Sequence, residues 1–195
     1  MILYYAPGAC SLGDHIALHE AGLTFDAVKV DLQTHTTEDG RDFGTIDPKG
    51  YVPALVLPNG ELLTENIAIL SWIADKAPSL QPQGETARYR LLETLAYIST
   101  EIHKGFKPFF TPGSTDAQKA KASDTITQRM TLLAGQAKDQ FLFGSKVSVA
   151  DAYLFVMLTW AKKFAVKIPE SLSAYADRMR ARPAVKLALE EEGLG

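Results

Sequence analysis

"PALVLPNGELLTENIAILSWIADKAP", Pro53 to Pro78, decides the fold. Two short apolar runs, "PALVLP" (Pro53–Pro58) and "ELL" (Glu61–Leu63), flank Asn59-Gly60, a strong hairpin signal because both residues tolerate positive φ. In "ENIAILSWIADKAP" the period changes: Ile67, Ile69, Leu70, Ile73 and Ala74 recur at helical spacing and define a buried side. The segment therefore reads as a β-hairpin followed directly by a helix.

Upstream, "ILYY" (Ile2–Tyr5) reads as a strand stopped by Pro7-Gly8. Helical spacing runs from Cys10 and Leu12 through Ile16–Leu18 to Glu20-Ala21, with Gly22 as its C-cap. "FDAVKVDL" (Phe25–Leu32) alternates with period two and is a strand. The polar stretch from Gln33 to Asp47 is a loop with at most one helical turn. Downstream, "APSLQPQGE" (Ala77–Glu85) holds two prolines and a glycine and reads as a linker, after which strand signals stop. Helices are expected over Thr86–Phe110, Asp116–Gln140, Val149–Ala165, Glu170–Arg180 and Ala184–Glu192. The order β-α-β-α-β-β-α followed by helices alone is an α/β unit joined to an all-α unit: residues 1–80, a linker at 81–86, and residues 87–195.

Composition narrows the function. At 195 residues and 46% hydrophobic the chain can bury a sizeable core. No stretch approaches the roughly 18 consecutive apolar residues of a membrane helix, and no secretory signal precedes the first strand, so a cytoplasmic protein without membrane contact is expected. A single cysteine excludes an intrachain disulfide and a cysteine-rich zinc site. The four histidines give no metal pattern, with no two expected on one ligand-bearing face, so no metal is expected. A net charge of −3 argues against a nucleic-acid partner. The charge is unevenly shared: residues 1–80 hold 4 Lys/Arg and 11 Asp/Glu, a balance of −7, and residues 81–195 hold 16 and 12, a balance of +4. Such halves suit surfaces that face each other within a chain or between subunits, or merely drift in solvated charge.

Four motifs carry chemistry. Cys10 follows a Pro-Gly turn and opens a helix. A lone cysteine is commonly a small buried hydrophobe, but a helix N-terminus lowers a thiol pKa and favours the thiolate. With no second cysteine three residues on, any redox partner is a small-molecule thiol. "KGYVPAL" (Lys49–Leu55) puts a proline where the third strand opens and leaves Val52 at its edge. "LLTEN" (Leu62–Asn66) starts a helix, where Thr64 can cap and Glu65 suits the first turn, or where the free N–H groups bind a carboxylate while Glu65 holds an ammonium. On the helix that contains "YISTEIHKGFKPFF" (Tyr97–Phe110), Leu91, Leu95, Ile98, Ile102 and Phe106 form the apolar stripe. Beside it Ala96, Ser99 and His103 form a row of small residues ending in a titratable group, with Lys104 and Lys107 adding positive charge; a solvated face reads the same way. "SVAD" (Ser148–Asp151) is a capping box whose content is structural.

In order and spacing, "PGACSL", "PKGYVPAL", "LLTEN", "EIHKGF" and "SVADAYLF" resemble bacterial beta-class glutathione S-transferases across essentially the whole chain. The resemblance implies a thioredoxin-like domain that binds glutathione as co-substrate, a helical domain lining the pocket for a hydrophobic electrophile, and a homodimer. It implies Cys10 and His103 as catalytic residues. Cys10 would be close to the glutathione sulfur and able to form a mixed disulfide with it, with Ser11 a reserve donor. Val52, ahead of a cis-Pro53, would pair its backbone with the cysteinyl unit, and Tyr51 and Pro53 would also bind substrate. Glu65 and Asn66 would take the γ-glutamyl ammonium and carboxylate, and His103 and Lys104 would approach the sulfur. The chain departs from that pattern at Ala96, where relatives carry an asparagine reaching the neighbouring subunit's glutathione, and in Gln33–Thr36, often lysine-bearing. The implied activity is conjugation of glutathione to small electrophiles, with thiol transfer through Cys10. The alternatives are a non-catalytic glutathione- or partner-binding member and a specialised dehalogenase.

Overall fold

The computed structural model describes every residue except Lys138. Strand β1 (Ile2–Tyr5) lies at the centre of a five-stranded sheet with β2 (Asp26–Asp31), β3 (Thr36–Thr37), β4 (Ala54–Val56) and β5 (Leu62–Thr64), in the order β3-β2-β1-β4-β5. β1 runs parallel to β2 and antiparallel to β4, and β5 returns antiparallel to β4. The parallel pair is linked by helix α1 (Leu12–Glu20), and α2 (Asn66–Lys76) follows the hairpin. Side chains alternate across β1: Leu3 and Tyr5 join the large core shared with α1 and α2, whereas Tyr4 faces a smaller cluster with Val30, Phe43 and Ala54. With both faces covered, β1 carries a continuous apolar run.

Two local forms differ from expectation. The hairpin closes through a three-residue loop: Gly60 N donates to Leu57 O at 2.9 Å, Leu57 N donates to Glu61 O at 2.8 Å, and Gly60 sits at φ 86°. Pro58 fits the first central position of such a turn, so Asn59-Gly60 serves a turn plus bulge rather than a two-residue loop. Between β2 and β4 the one helical turn expected is a 3-10 turn, Phe43–Thr45, and the stretch adds a short strand, β3, that was not expected. Asp42 caps this turn by accepting from Gly44 N at 2.8 Å.

The second half is helical. Its first long helix is interrupted: α3 (Ala87–Tyr97) passes into a π-helical segment, Ile98–His103, then a 3-10 turn, Lys104–Phe106, then α4 (Lys107–Phe110). α5 (Asp116–Gln136), α6 (Val149–Lys163), α7 (Glu170–Arg180) and α8 (Pro183–Glu191) complete the chain. Gly105 lets the 3-10 turn approach α5, since a Cβ there would lie 2.9 Å from Ile126 Cγ1. α6 is apolar nearly all round and is buried from Val149 to Leu158. Its start is fixed by Asp151, which accepts from Ser148 N at 2.7 Å, Leu142 N at 2.9 Å and Tyr175 Oη at 2.5 Å.

α1 packs against both α6 and α8, and Gly13 meets Tyr153 Cα at 3.3 Å from where its Cβ would be. This contact joins the two halves. It also corrects one sequence expectation: His15 and His19, four residues apart on α1, do share a face, and both meet Glu191. Among the described residues, no helix is long and apolar enough to cross a membrane.

Candidate active site

A cavity of about 260 Å³ opens between the two halves. The first half supplies Cys10 from the β1–α1 turn, Tyr51, Val52 and Pro53 from the approach to β4, and Glu65, Asn66 and Ile67 from the start of α2. The helical half supplies Ser99, His103, Lys104 and Tyr153. Residues up to 143 positions apart in the chain thus meet around one space.

The cysteine loop is held from three sides. Gly8 N donates to Glu192 Oε2 at 2.8 Å and Trp160 Nε1 donates to Gly8 O at 2.8 Å. Asn66 Nδ2 donates to Cys10 O at 3.0 Å and to Asp14 Oδ2 at 2.7 Å. The Cys10 thiol donates to Val52 O at 3.5 Å, and the Val52–Pro53 peptide is cis. Ser11 is turned away: its fully buried Oγ accepts from Ala6 N at 3.2 Å, so it closes the turn and does not line the cavity.

The thiol differs electrostatically from the sequence expectation. Burial and the neighbouring Asp14 carboxyl push the Cys10 pKa up to about 12, outweighing the backbone N–H groups of Cys10 and Ser11 that act in the opposite sense. Position at a helix start is thus overridden by desolvation, and the sulfur of the unliganded chain is a neutral thiol near pH 7. Asp14 is itself fully buried with Oδ1 unpartnered, and burial raises its pKa well above the usual carboxylate range.

Glu65 caps α2 in a backbone conformation, φ 73° and ψ 124°, that favours glycine. Its carboxylate accepts from Lys49 Nζ at 2.6 Å and Tyr51 Oη at 2.7 Å, and these donors hold its pKa below the usual value. Thr64 does not cap; its Oγ1 accepts from Lys49 Nζ at 2.9 Å. No side chain caps α2 among the described residues, so the N–H groups of its first turn remain for an anion. The Asn66 amide donates to Cys10 O and Asp14 Oδ2, which places it between the thiol loop and the buried carboxyl.

From the other wall, His103 Nδ1 lies 2.6 Å from Tyr153 Oη, with the imidazole edge-on to Trp160 at 5.0 Å. Burial, with a contribution from Lys104, lowers its pKa to about 4, so the ring is neutral near pH 7. Burial and the proximity of Cys10 raise the Tyr153 pKa. Tyr153, Lys49 and Asp14 were not singled out in the sequence. The available signal for Tyr153 was a hydroxyl inside the apolar run "AYLFVML", which needs a partner when buried. Ala96 is exposed on α3 and lines no part of this cavity. In Gln33–Thr36, Asp31 Oδ1 accepts from Gln33 N and Thr34 N at 2.8 and 3.2 Å, a local turn apart from the cavity.

A thioredoxin-like sheet that brings a cysteine loop, a residue before a cis-proline and an uncapped helix to one cavity, closed by a helical unit, defines a glutathione transferase architecture. The chain belongs to the glutathione S-transferase family, bacterial beta class: residues 9–76 match the model of the glutathione S-transferase N-terminal domain and residues 97–183 that of the C-terminal domain. Glutathione S-transferase GstA of Escherichia coli O157:H7 is 42% identical over 202 residues, covering 100% of both chains. Among solved structures, the bacterial beta-class glutathione S-transferase of Sphingomonas chungbukensis superposes with a TM-score of 0.90 at 49% identity, and a sphingomonad glutathione S-transferase complexed with glutathione with 0.93 at 46%, each covering 100% of both chains.

Proposed function

We propose that the cavity binds glutathione and that the enzyme conjugates it to small hydrophobic electrophiles. The observation that carries this reading is the convergence of complementary groups on one space. Glu65 offers an anion for the γ-glutamyl ammonium, the free N–H groups of α2 offer donors for its carboxylate, and Val52 offers backbone for the cysteinyl unit. Glutathione of the sphingomonad relative's complex would occupy the same place here.

In conjugation the glutathione thiol loses its proton to solvent and the sulfur attacks the electrophilic carbon, forming a C–S bond as a halide or other leaving group departs with its electron pair. Lys104 supplies positive charge that favours the thiolate. His103, neutral and tied to Tyr153, serves as a hydrogen-bonding group rather than as a strong base, which narrows the catalytic role expected for it. Thiol transfer is a second reaction. Deprotonated Cys10 attacks a glutathione-containing disulfide, giving a Cys10–glutathione disulfide and releasing the other thiolate; a second glutathione then restores Cys10 and leaves as oxidised glutathione.

Residues 1–80 form the glutathione-binding unit and residues 87–195 the wall for the electrophile. The acidic first half of one subunit would face the basic second half of its partner in a homodimer, with a dissociation constant that rises with salt. Cys10→Ala tests the chemistry: it should abolish transfer from a mixed disulfide while conjugation of an aromatic halide persists. Transfer that survives unchanged would remove Cys10 from that role.

A further inference from the structure

Outside the glutathione cavity, α1 and the end of α8 build a second cluster. His15 Nε2 lies 2.7 Å from Glu191 Oε2, and His19 Nε2 lies 2.9 Å from the same oxygen. All three ligand-capable atoms fall within 4.8 Å of one another. A carboxylate oxygen only accepts, so both imidazoles reach it as N–H donors, and two protons sit where one divalent cation could bind all three atoms.

The remaining geometry suits a metal. Histidines four residues apart on one helix with a carboxylate from another are a His2Glu donor set, which fits zinc. His15 Nδ1 lies 3.0 Å from Glu192 Oε1, and Glu192 is in turn fixed by Gly8 N at 2.8 Å, so the buried His15 ring is already oriented by an outer carboxylate. A tetrahedral ion with ligands at about 2.0–2.2 Å separates them by roughly 3.3–3.5 Å. The two N···O contacts must therefore widen by about 0.4–0.8 Å, an adjustment within reach of a Glu191 side chain that is 40% exposed. A neighbouring cavity of about 420 Å³, lined by His19, Glu191, Asp26 and Glu38 among others, gives an entry with negative charge and room for a water as fourth ligand.

We propose that His15 Nε2, His19 Nε2 and Glu191 form a zinc-type divalent metal site, with Glu192 orienting His15, that clamps α8 onto α1. On binding, each imidazole offers its Nε2 lone pair as the neutral Nδ1–H tautomer, only a proton in excess of that form passes to solvent, and no oxidation state changes.

The test uses tag-free, chelator-treated full-length protein titrated with Zn²⁺ by calorimetry and with Co²⁺ by visible absorption. One equivalent should bind, with Co²⁺ bands of a four-coordinate nitrogen–oxygen site and no thiolate charge-transfer band. His19→Gln and Glu191→Gln should each weaken binding at least about tenfold, while Cys10→Ser leaves it unchanged. The His19→Gln protein should keep its conjugating activity, since His19 lies outside the glutathione cavity, and that activity also separates loss of metal from loss of fold. Absence of one-to-one binding, equal affinity in His19→Gln, or loss of binding in Cys10→Ser would each overturn the assignment.

Discussion

The electrostatics of Cys10 give the sharpest test of the site. Raising a thiol pKa from 9.0 to about 12 lowers its thiolate fraction near neutral pH about 10³-fold, because the fraction falls tenfold per pH unit of separation. In the unliganded protein, alkylation of Cys10 by iodoacetamide should be slower than that of free glutathione by roughly this factor or more, as the half-buried position adds obstruction. Its rate should climb about tenfold per pH unit from pH 7 to pH 10 without levelling. Alkylation followed by mass spectrometry reads the single thiol directly. The linkage has a sign as well. The folded state holds this proton more tightly than the unfolded chain, so stability from this group is present below pH 9 and declines as pH rises towards about 12. A plateau in the alkylation rate at or below pH 8.5 would show that the helix start, not burial, governs the sulfur.

Three substitutions probe the rest. Glu65→Gln should raise the KM for glutathione roughly 10- to 100-fold, the cost of a charge-assisted bond of about 1.5–3 kcal/mol, while urea unfolding shifts by under about 1 kcal/mol because the Lys49–Glu65 pair is exposed. Asp151→Ala removes the acceptor for Ser148, Leu142 and Tyr175 and should cost about 2–4 kcal/mol in the same assay. Gly105→Ala drives a methyl to 2.9 Å from Ile126 and should cost about 1–3 kcal/mol, an effect partly relieved in combination with Ile126→Ala.

The architecture was legible where period and punctuation agree. The alternation of "FDAVKVDL" and the helical spacing of Glu170–Arg180 translate directly into backbone, the last with the same bounds, and the hairpin around Asn59-Gly60 is present with a three-residue loop. The break in the first long helix was not legible, because the spacing of Leu91, Leu95, Ile98, Ile102 and Phe106 fits a continuous α-helix. The π segment and 3-10 turn around His103 lie where the chain packs against α5 and α6, contacts with distant segments that local spacing does not encode. The same holds for Cys10: its chain position spoke for an activated thiol, while its protonation depends on Asp14 and on walls contributed by distant segments. His15 and His19 show the opposite error. Their spacing of four was visible, but their partners lie 172 or more residues away, so the pairing had no local signal.

These long-range contacts explain why the reactive loop depends on the helical half. Gly8 has no side chain with which to anchor itself, yet both of its backbone polar groups are engaged from beyond residue 150, the N–H by Glu192 and the carbonyl by Trp160. Trp160 also stacks edge-on against His103, and Glu192 also holds His15. A displacement of α8 would therefore reach the thiol loop through Glu192, and one of α6 would move the loop and the histidine wall together. The first half supplies the polar groups of the cavity, and the second sets where the sulfur stands among them. Residues 1–80 separated from the helical half would lose the contacts that fix Gly8 and, through it, Cys10.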